Sequence, residues 1–345
     1  MSQIELEIIN YIAANEAVSS AQIALAFETK ISLATIKRML VKFIDNNQIS
    51  KTGAGKNTRY SVTFSFKILS PINIEAYFEN EIDNRKINER FSFNLISSEL
   101  ASFTIFNKTE LEILKDYQQL FSTKCSLYNK QEWMIEMERL AIDLSWKSSQ
   151  MEGNTYSLLE TEQLLKEKKT AHGRTKEEAT MLLNHKEAID FTLQDPDYMY
   201  PLSINKIENL HKILIKDLGV AKNIRTKRVG ISGTNYLPLN NEWQIKEALE
   251  QMCVLVNSKE NIFEKALLVL VLVSYIQPFM DGNKRTARIV SNSILLHFKY
   301  CPLSYRTVES IDYKKAMLLF YEVNNITAFK KIFIEQYKFA VNTYF

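Results

Sequence analysis

Residues 277–288 read Gln-Pro-Phe-Met-Asp-Gly-Asn-Lys-Arg-Thr-Ala-Arg. They follow an apolar stretch, Ala266 to Ile276, which Pro278 ends by removing a backbone donor, and Asp281-Gly282-Asn283 then supplies a turn with unusual backbone angles. From Lys284 the pattern is helical again through Ile289, Val290, Ile294 and Leu295. Gly282, Asn283 and Lys284 therefore sit at a helix N-terminus, whose free N–H groups bind anions. Arg285 and Arg288, three apart on neighbouring faces of one turn, add two charged forks suited to phosphate oxygens, and Asp281 offers a hard oxygen ligand for Mg2+. Together these residues describe a cradle for a polyphosphate and a metal ion.

The same stretch resembles the signature loop of Fic-domain proteins, H-x-F-x-[DE]-G-N-[GK]-R-x-x-R, at every functional position except the first, where Gln277 stands in place of the histidine. The resemblance implies an all-helical core over residues 109–345, with ATP and Mg2+ as ligands and a target protein, not named by the sequence, as acceptor. In that family the histidine takes the proton from a Ser, Thr or Tyr hydroxyl as it attacks the α-phosphate of ATP and pyrophosphate leaves. Gln277 can hydrogen-bond a hydroxyl but cannot take its proton at neutral pH. Loss of a general base costs on the order of 10²–10⁴ in rate. Binding with weak or no adenylylation is the expectation.

Ser148-Ser149-Gln150-Met151-Glu152-Gly153-Asn154 resembles the family's inhibitory motif [ST]-x-x-x-E-[GN], which implies that Ser148, Glu152 and Gly153 form a helix end whose glutamate faces Arg288. An arginine held by a carboxylate cannot also hold a γ-phosphate in a productive pose. Arg225 to Pro238 alternates apolar and small residues, with Gly233 and Pro238 bracketing a turn, and reads as a hairpin. It resembles the family's target-binding flap, so that Ile231, Ser232, Gly233, Thr234, Asn235 and Tyr236 would pair with the target's chain. The resemblance also places Tyr313, Tyr321 and Asn324 beside the adenine. His211 reads as a structural helix histidine.

The first 65 residues are organised differently. Apolar periodicity gives helices through Ile4–Ile12, Ile23–Leu25 and Ile36–Ile44, the latter two capped by Ser19-Ser20 and Ser32, followed by a hairpin with a Gly-Ala-Gly-Lys-Asn tip at 53–57. Three helices and a hairpin is a winged helix-turn-helix. Residues 1–30 carry four carboxylates (Glu5, Glu7, Glu16, Glu28) against Lys30, whereas residues 31–65 carry six basic side chains against Asp45. Lys37, Arg38 and Lys42 on the third helix, with Lys56 and Arg59 on the wing, have the distribution wanted for a helix in the DNA major groove. Winged helices also serve as dimerisation or protein-docking modules, so a homodimer stays open.

Residues 66–108, including the alternating Phe91, Phe93 and Leu95, read as a connector packed on the core. From Thr109 helix follows helix. The fold class is thus mainly α: a winged helix domain over 1–65, the connector, and a helical Fic-like core with a β-hairpin flap. The 345-residue chain is 46% apolar and 24% charged with a net charge of +3, an ordinary soluble composition that singles out no partner by charge. The run Ala266–Ile276 is too short to span a bilayer, so no membrane role is expected. Three cysteines in no metal-like spacing read as free thiols in a reducing cytoplasm. Three activities remain open: adenylyl transfer, nucleotide sensing without catalysis, and removal of AMP with Glu152 activating water.

Overall fold

The computed structural model describes residues 2–15 and 17–345; Met1 and Glu16, the latter one of the N-terminal carboxylates counted above, lie outside the described residues. The chain divides into two units, residues 1–71 and 72–345. The first contains helices α1 (Gln3–Asn15), α2 (Ser20–Ala26) and α3 (Leu33–Asp45), then strands β1 (Ile49–Thr52) and β2 (Arg59–Val62), then the short helix α4 (Phe64–Leu69). The strands pair antiparallel, Ile49 opposite Val62 and Thr52 opposite Arg59. Ser19 caps α2 in a capping box with Gln22, and Ser32 caps α3 by accepting from the Thr35 amide. Ile8, Ile9, Ile12, Ile23, Ile36, Leu40, Phe43 and Ile49 form one small core. The periodicity of these residues, each contributing one apolar stripe, is what makes the helices close on one another.

The second unit carries α5 (Ile74–Phe78), α6 (Lys108–Leu127), α7 (Lys130–Gln150), α8 (Leu158–Glu167), α9 (Lys176–Gln194), α10 (Ile204–Leu214), α11 (Glu242–Ser258), α12 (Ile262–Ile276), α13 (Asn283–His297), α14 (Ser310–Val323) and α15 (Thr327–Tyr344). It is mainly helical. Helix α12 is apolar all round and buried along nearly its whole length, packed by α11, α13 and α14, as a helix without a polar face must be. Its polar residues are satisfied: Glu264 accepts from the Ile105 amide at 2.7 Å, and the Lys265 ammonium donates to the carbonyls of Val256 and Asn257 at 2.9 Å. No helix among the described residues is long and apolar enough to cross a membrane, and the three cysteines are free.

The expected hairpin over Arg225–Pro238 is absent. The segment is an irregular loop with a turn at Ser232-Gly233, and its backbone partners come from elsewhere in the chain: the Leu237 amide donates to the Glu89 carbonyl at 2.8 Å, and Arg90 and Leu237 form a single parallel bridge. The alternation Phe91, Phe93, Leu95 makes no strand either; it leads into a π-helical turn, Leu95–Glu99, with Phe91 stacked on Tyr275. In both places alternation marks contact with the helical core, which burial alone can impose.

Because α12 has no solvent-facing side, truncation within it leaves a cavity that its neighbours cannot fill. Leu270→Ala should lower unfolding stability by about 2–5 kcal/mol, measured by urea denaturation of the full chain; a loss below about 1 kcal/mol would contradict this packing.

Candidate functional site

The turn between α12 and α13 is built on Gln277 and Gly282. Gln277 closes α12 in the left-handed region (φ 52°), and Gly282 opens α13 at φ 78°. A Cβ at Gly282 would lie 3.3 Å from Ile215 Cγ2 and 3.5 Å from the His211 ring, so glycine answers both the backbone angle and the close approach. His211 stacks on Phe279 at 3.6 Å between centroids, and its Nε2 lies 2.9 Å from the Asp281 carbonyl. Burial lowers its pKa to about 4, so at neutral pH the ring is uncharged and donates to that carbonyl. Asn283 staples the turn: its Oδ1 accepts from the Phe279 amide at 2.8 Å, and its Nδ2 donates to the Phe279 carbonyl at 2.8 Å and to Gln277 Oε1 at 3.0 Å.

Gln277 is thus held at both ends of its amide, since its Nε2 donates to the Ser274 carbonyl at 2.6 Å. Its own carbonyl accepts from Arg225 Nε at 2.6 Å. Arg225, which the sequence reading gave no role, is buried and also donates to the carbonyls of Lys227 and Leu239, so one guanidinium joins the base of the 225–239 loop to the turn. The cost is visible in its pKa, lowered by burial to about 10.

Arg288 lies fully buried under the end of α7. Its Nε donates to Ser148 Oγ at 2.8 Å, and its Nη2 donates to the Ser148 carbonyl at 2.8 Å and to Glu152 Oε1 at 3.0 Å. Tyr313 lies beneath the guanidinium at 5.3 Å, where the ring face favours the cation. Behind Ser148 stands His185, with Nε2 2.6 Å from Ser148 Oγ; burial, with Arg288 and Arg285 nearby, holds it neutral. Glu152 reaches a second cation, Lys284, whose Nζ donates to its other oxygen at 3.1 Å. Burial pushes the Glu152 carboxyl up, but Arg288 and Lys284 outweigh it and hold it below the usual carboxylate range. Gly153 follows at φ 97°, in open space, so the need for glycine there is the backbone angle alone.

Glu152, Gln277, Asp281, Gly282, Asn283 and Lys284 line one cavity of about 240 Å³, closed on its far side by Val229, Gly230, Ile231 and Ser232 and by Lys314, Met317, Leu318 and Tyr321 of α14. That volume is below the roughly 300–1,000 Å³ of ligand pockets, as befits a site into which Glu152 projects. The residues fit a polyphosphate. Arg285, behind the cavity lining, donates Nη2 to Asp281 Oδ2 at 2.8 Å, and its Nε and Nη1 are buried with no partner among the described residues. The N-cap Gly282 supplies no side chain to the first amides of α13. Asp281 is the one exposed carboxylate of the turn and suits a cation that otherwise takes phosphate and water oxygens. Among the described residues no three His, Cys, Asp or Glu side chains gather around a metal position, and no histidine lines the cavity.

Other expected residues lie elsewhere. Tyr236 is buried, its hydroxyl donating to the Tyr275 carbonyl at 3.1 Å, because the ring packs against both Tyr275 and Tyr321 and anchors the loop; it cannot face a target. Asn324 closes α14 in the left-handed region, accepting from Asn88 Nδ2 and donating to the Phe320 carbonyl, both at 3.1 Å, and does not line the cavity. Tyr313 lies under Arg288 instead of in the cavity, whereas Tyr321 does line it, with a hydroxyl that has no partner. Gly233, Thr234 and Asn235 sit beyond the cavity wall. Lys314, Met317 and Leu318 were missed. Their signal is the spacing from Tyr321, one face of α14, which periodicity alone assigns to core. In the first unit Lys37, Arg38 and Lys56 are exposed, but Lys42 pairs with Glu5 at 2.6 Å and Arg59 folds its guanidinium onto the carbonyls of Lys56 and Thr58, because each finds an acceptor within its own unit.

Residues 201–295, which span α10 to the signature loop and most of α13, match the Fic/DOC family. Over 162 residues, 44% of this chain, the sequence is 26% identical to protein adenylyltransferase fic-1 of Caenorhabditis briggsae, of whose length the chain spans 31%. The structure is similar to a Fic-1 segment from C. elegans (20% identity, TM-score 0.59, 68% of this chain and 72% of that one). It is also similar to a Fic family protein from Desulfovibrio desulfuricans (17% identity, TM-score 0.58, 70% of this chain and 74% of that one). Residues 201–295 are thus similar in sequence to the Fic/DOC family, and the second unit has the helical fold of these Fic structures.

The Glu152 carboxylate contributes stability above the ordinary carboxylate range, and that contribution is lost as the pH falls through its depressed folded-state pKa, while both cationic partners stay charged. Glu152→Gln should therefore lose on the order of 1–3 kcal/mol near pH 7. The gap from the unaltered chain should close in acid, below the usual carboxylate range, when unfolding is followed at several pH values. A gap that is absent near neutrality or widens in acid would exclude the ion pair as described.

Proposed function

We propose that this chain binds ATP in the cavity beside Glu152 and is a protein adenylyltransferase scaffold, held off by α7 and impaired at position 277. The observation that carries the reading is the state of the two groups on which transfer depends. Arg288 is engaged by Ser148 and Glu152, and the Gln277 amide is engaged at both ends. Arg285, Lys284 and the first amides of α13 would hold the phosphates, with Arg288 joining them once Glu152 withdraws. Asp281 would hold Mg2+, which supplies charge neutralisation to phosphate oxygens. Met317, Leu318 and Ile231 offer an apolar wall for a base, and Tyr321 a hydroxyl. The similarity to a named protein adenylyltransferase supports the reaction class.

A target protein would lie along Val229–Ser232. The backbone of these four residues makes no hydrogen bond among the described residues, so an extended segment could pair with it even though the loop is no hairpin. Gln277 has no proton to give up and no basicity to use at neutral pH, so the hydroxyl of such a target would be positioned and not activated.

The second reading is a nucleotide-sensing regulator without catalysis. It is favoured by the first unit, whose three helices and hairpin we read as a winged helix with Lys37 and Arg38 exposed on α3, facing DNA or a protein partner.

Incubation with α-labelled ATP and Mg2+ separates the two. Gln277→His combined with Glu152→Gly should label itself or a lysate protein, at least about 100-fold above the unaltered chain. No label from the double variant, with saturable ATP binding retained, would discard the transferase and leave the regulator. Arg288→Ala should weaken ATP binding under either reading, and unchanged affinity would remove the cradle.

A further inference from the structure

The loop that walls the cavity is tied down by residues that belong neither to the signature loop nor to α7. Arg85 Nη1 donates to the Gly233 carbonyl at 3.1 Å and to Glu322 Oε1 at 3.2 Å, and its Nε donates to the Asn80 carbonyl at 3.0 Å. The guanidinium lies over the Phe78 ring at 4.8 Å. Glu322 is almost wholly buried on α14, and its second oxygen accepts from the Tyr77 hydroxyl at 2.6 Å. Two further ties reach the same loop from the same segment: Asn235 Nδ2 donates to Asp83 Oδ1 at 2.8 Å, and the Leu237 amide to the Glu89 carbonyl at 2.8 Å. The loop has no strand pairing of its own, and beyond Arg225 at its base, the buried Tyr236 and the Lys314 contact to Ser232, these contacts hold its outer part.

We infer that Arg85 is a positioning residue that clamps the 229–236 loop over the cavity by joining the Gly233 carbonyl to Glu322 on α14. A buried carboxylate left with one partner is costly, so Glu322 keeps Arg85 in place, and Arg85 in turn has a donor to give to the loop. Arginine is suited to the position because its planar fork serves three acceptors in different directions at once. The clamp sets how often the loop opens, and through Val229–Ser232 it sets the shape of the cavity wall. Only the second consequence rests on the reading of the cavity as a nucleotide site.

Lys227 and Arg228, exposed at the base of this loop, are trypsin sites that report its opening, and Lys168-Lys169 between α8 and α9 report opening elsewhere. In the full chain, well below its unfolding midpoint, Arg85→Ala should speed cleavage at Lys227/Arg228 by about tenfold or more while leaving Lys168/Lys169 unchanged. Arg85→Lys should restore part of the protection by keeping the charge beside Glu322. Equal cleavage in Arg85→Ala and the unaltered chain, or equal acceleration at both sites, overturns the inference. If Arg85→Ala does not fold, Asn235→Ala takes its place, with about threefold faster cleavage expected from loss of one exposed tie and unchanged cleavage overturning the clamp. ATP titration in parallel should show about tenfold weaker binding in Arg85→Ala, because the ordered wall is then a minor population. Faster loop cleavage in a chain that binds no ATP would retain the clamp and reject the nucleotide site; ATP binding with unaltered cleavage would do the reverse.

Discussion

Arg288 cannot be left alone. A guanidinium with no exposed surface must have its donors satisfied within the protein, and here the acceptors are Ser148 and Glu152, all supplied by the end of α7. This one requirement joins the N-terminal part of the second unit to the helix that opens the cradle. It also explains why Glu152 is ionised in a half-buried position, because two cations more than offset what burial costs it. On the proposed reading, the same geometry would make the contact a switch of limited reach. Removing Glu152 leaves Arg288 with both contacts to Ser148, so the arginine stays in place while one outer edge becomes available to an anion.

The turn before α13 is constrained in a complementary way. Asn283 takes the Phe279 amide and carbonyl, His211 the Asp281 carbonyl and Arg225 the Gln277 and Pro278 carbonyls, while the first amides of α13 have no side-chain cap and Nε and Nη1 of Arg285 have no partner among the described residues. Buried donors without partners are rare in folded proteins, and on the proposed reading a polyphosphate would take them once it entered the cradle. Gln277 belongs to the internal set. A side chain that holds Ser274 to Asn283 preserves the shape of the turn, so on the proposed reading Gln277 would keep the architecture of the cradle without its proton chemistry.

Much of this was legible in the sequence where spacing along one helix carries the geometry. Ser148 and Glu152, four apart, come to one side of the chain where α7 ends; Arg285 and Arg288 share a turn; Ser19, Ser32 and the apolar stripes delimit the N-terminal helices. What failed to show were partners brought together from distant parts of the chain. The 225–238 segment has the glycines, proline and alternation of a hairpin, but its hydrogen bonds go outside it, to Arg85, Asp83 and Glu89 about 150 residues earlier and to Tyr275, Gln277 and Pro278 of the core. Tyr236 is an anchor for the same reason, since its stacking on Tyr275 and Tyr321 depends on three elements at once. Asn324 was drawn away by Asn88, and Lys42 by Glu5. Local rules fix elements, and long-range satisfaction of polar groups decides which residues are left over for a ligand.

On the proposed reading, one buried arginine, Arg288, is shared between the end of α7 and a nucleotide. Calorimetric titration of ATP with Mg2+ into the unaltered chain and into Glu152→Gly tests it without requiring catalysis. Sharing of Arg288 predicts binding tighter by about tenfold in the variant, a difference of roughly 1.4 kcal/mol for one charge-assisted contact exchanged for another, with the gain abolished when Arg288→Ala is added. Equal affinity in the two chains, or a gain that survives loss of Arg288, would contradict it.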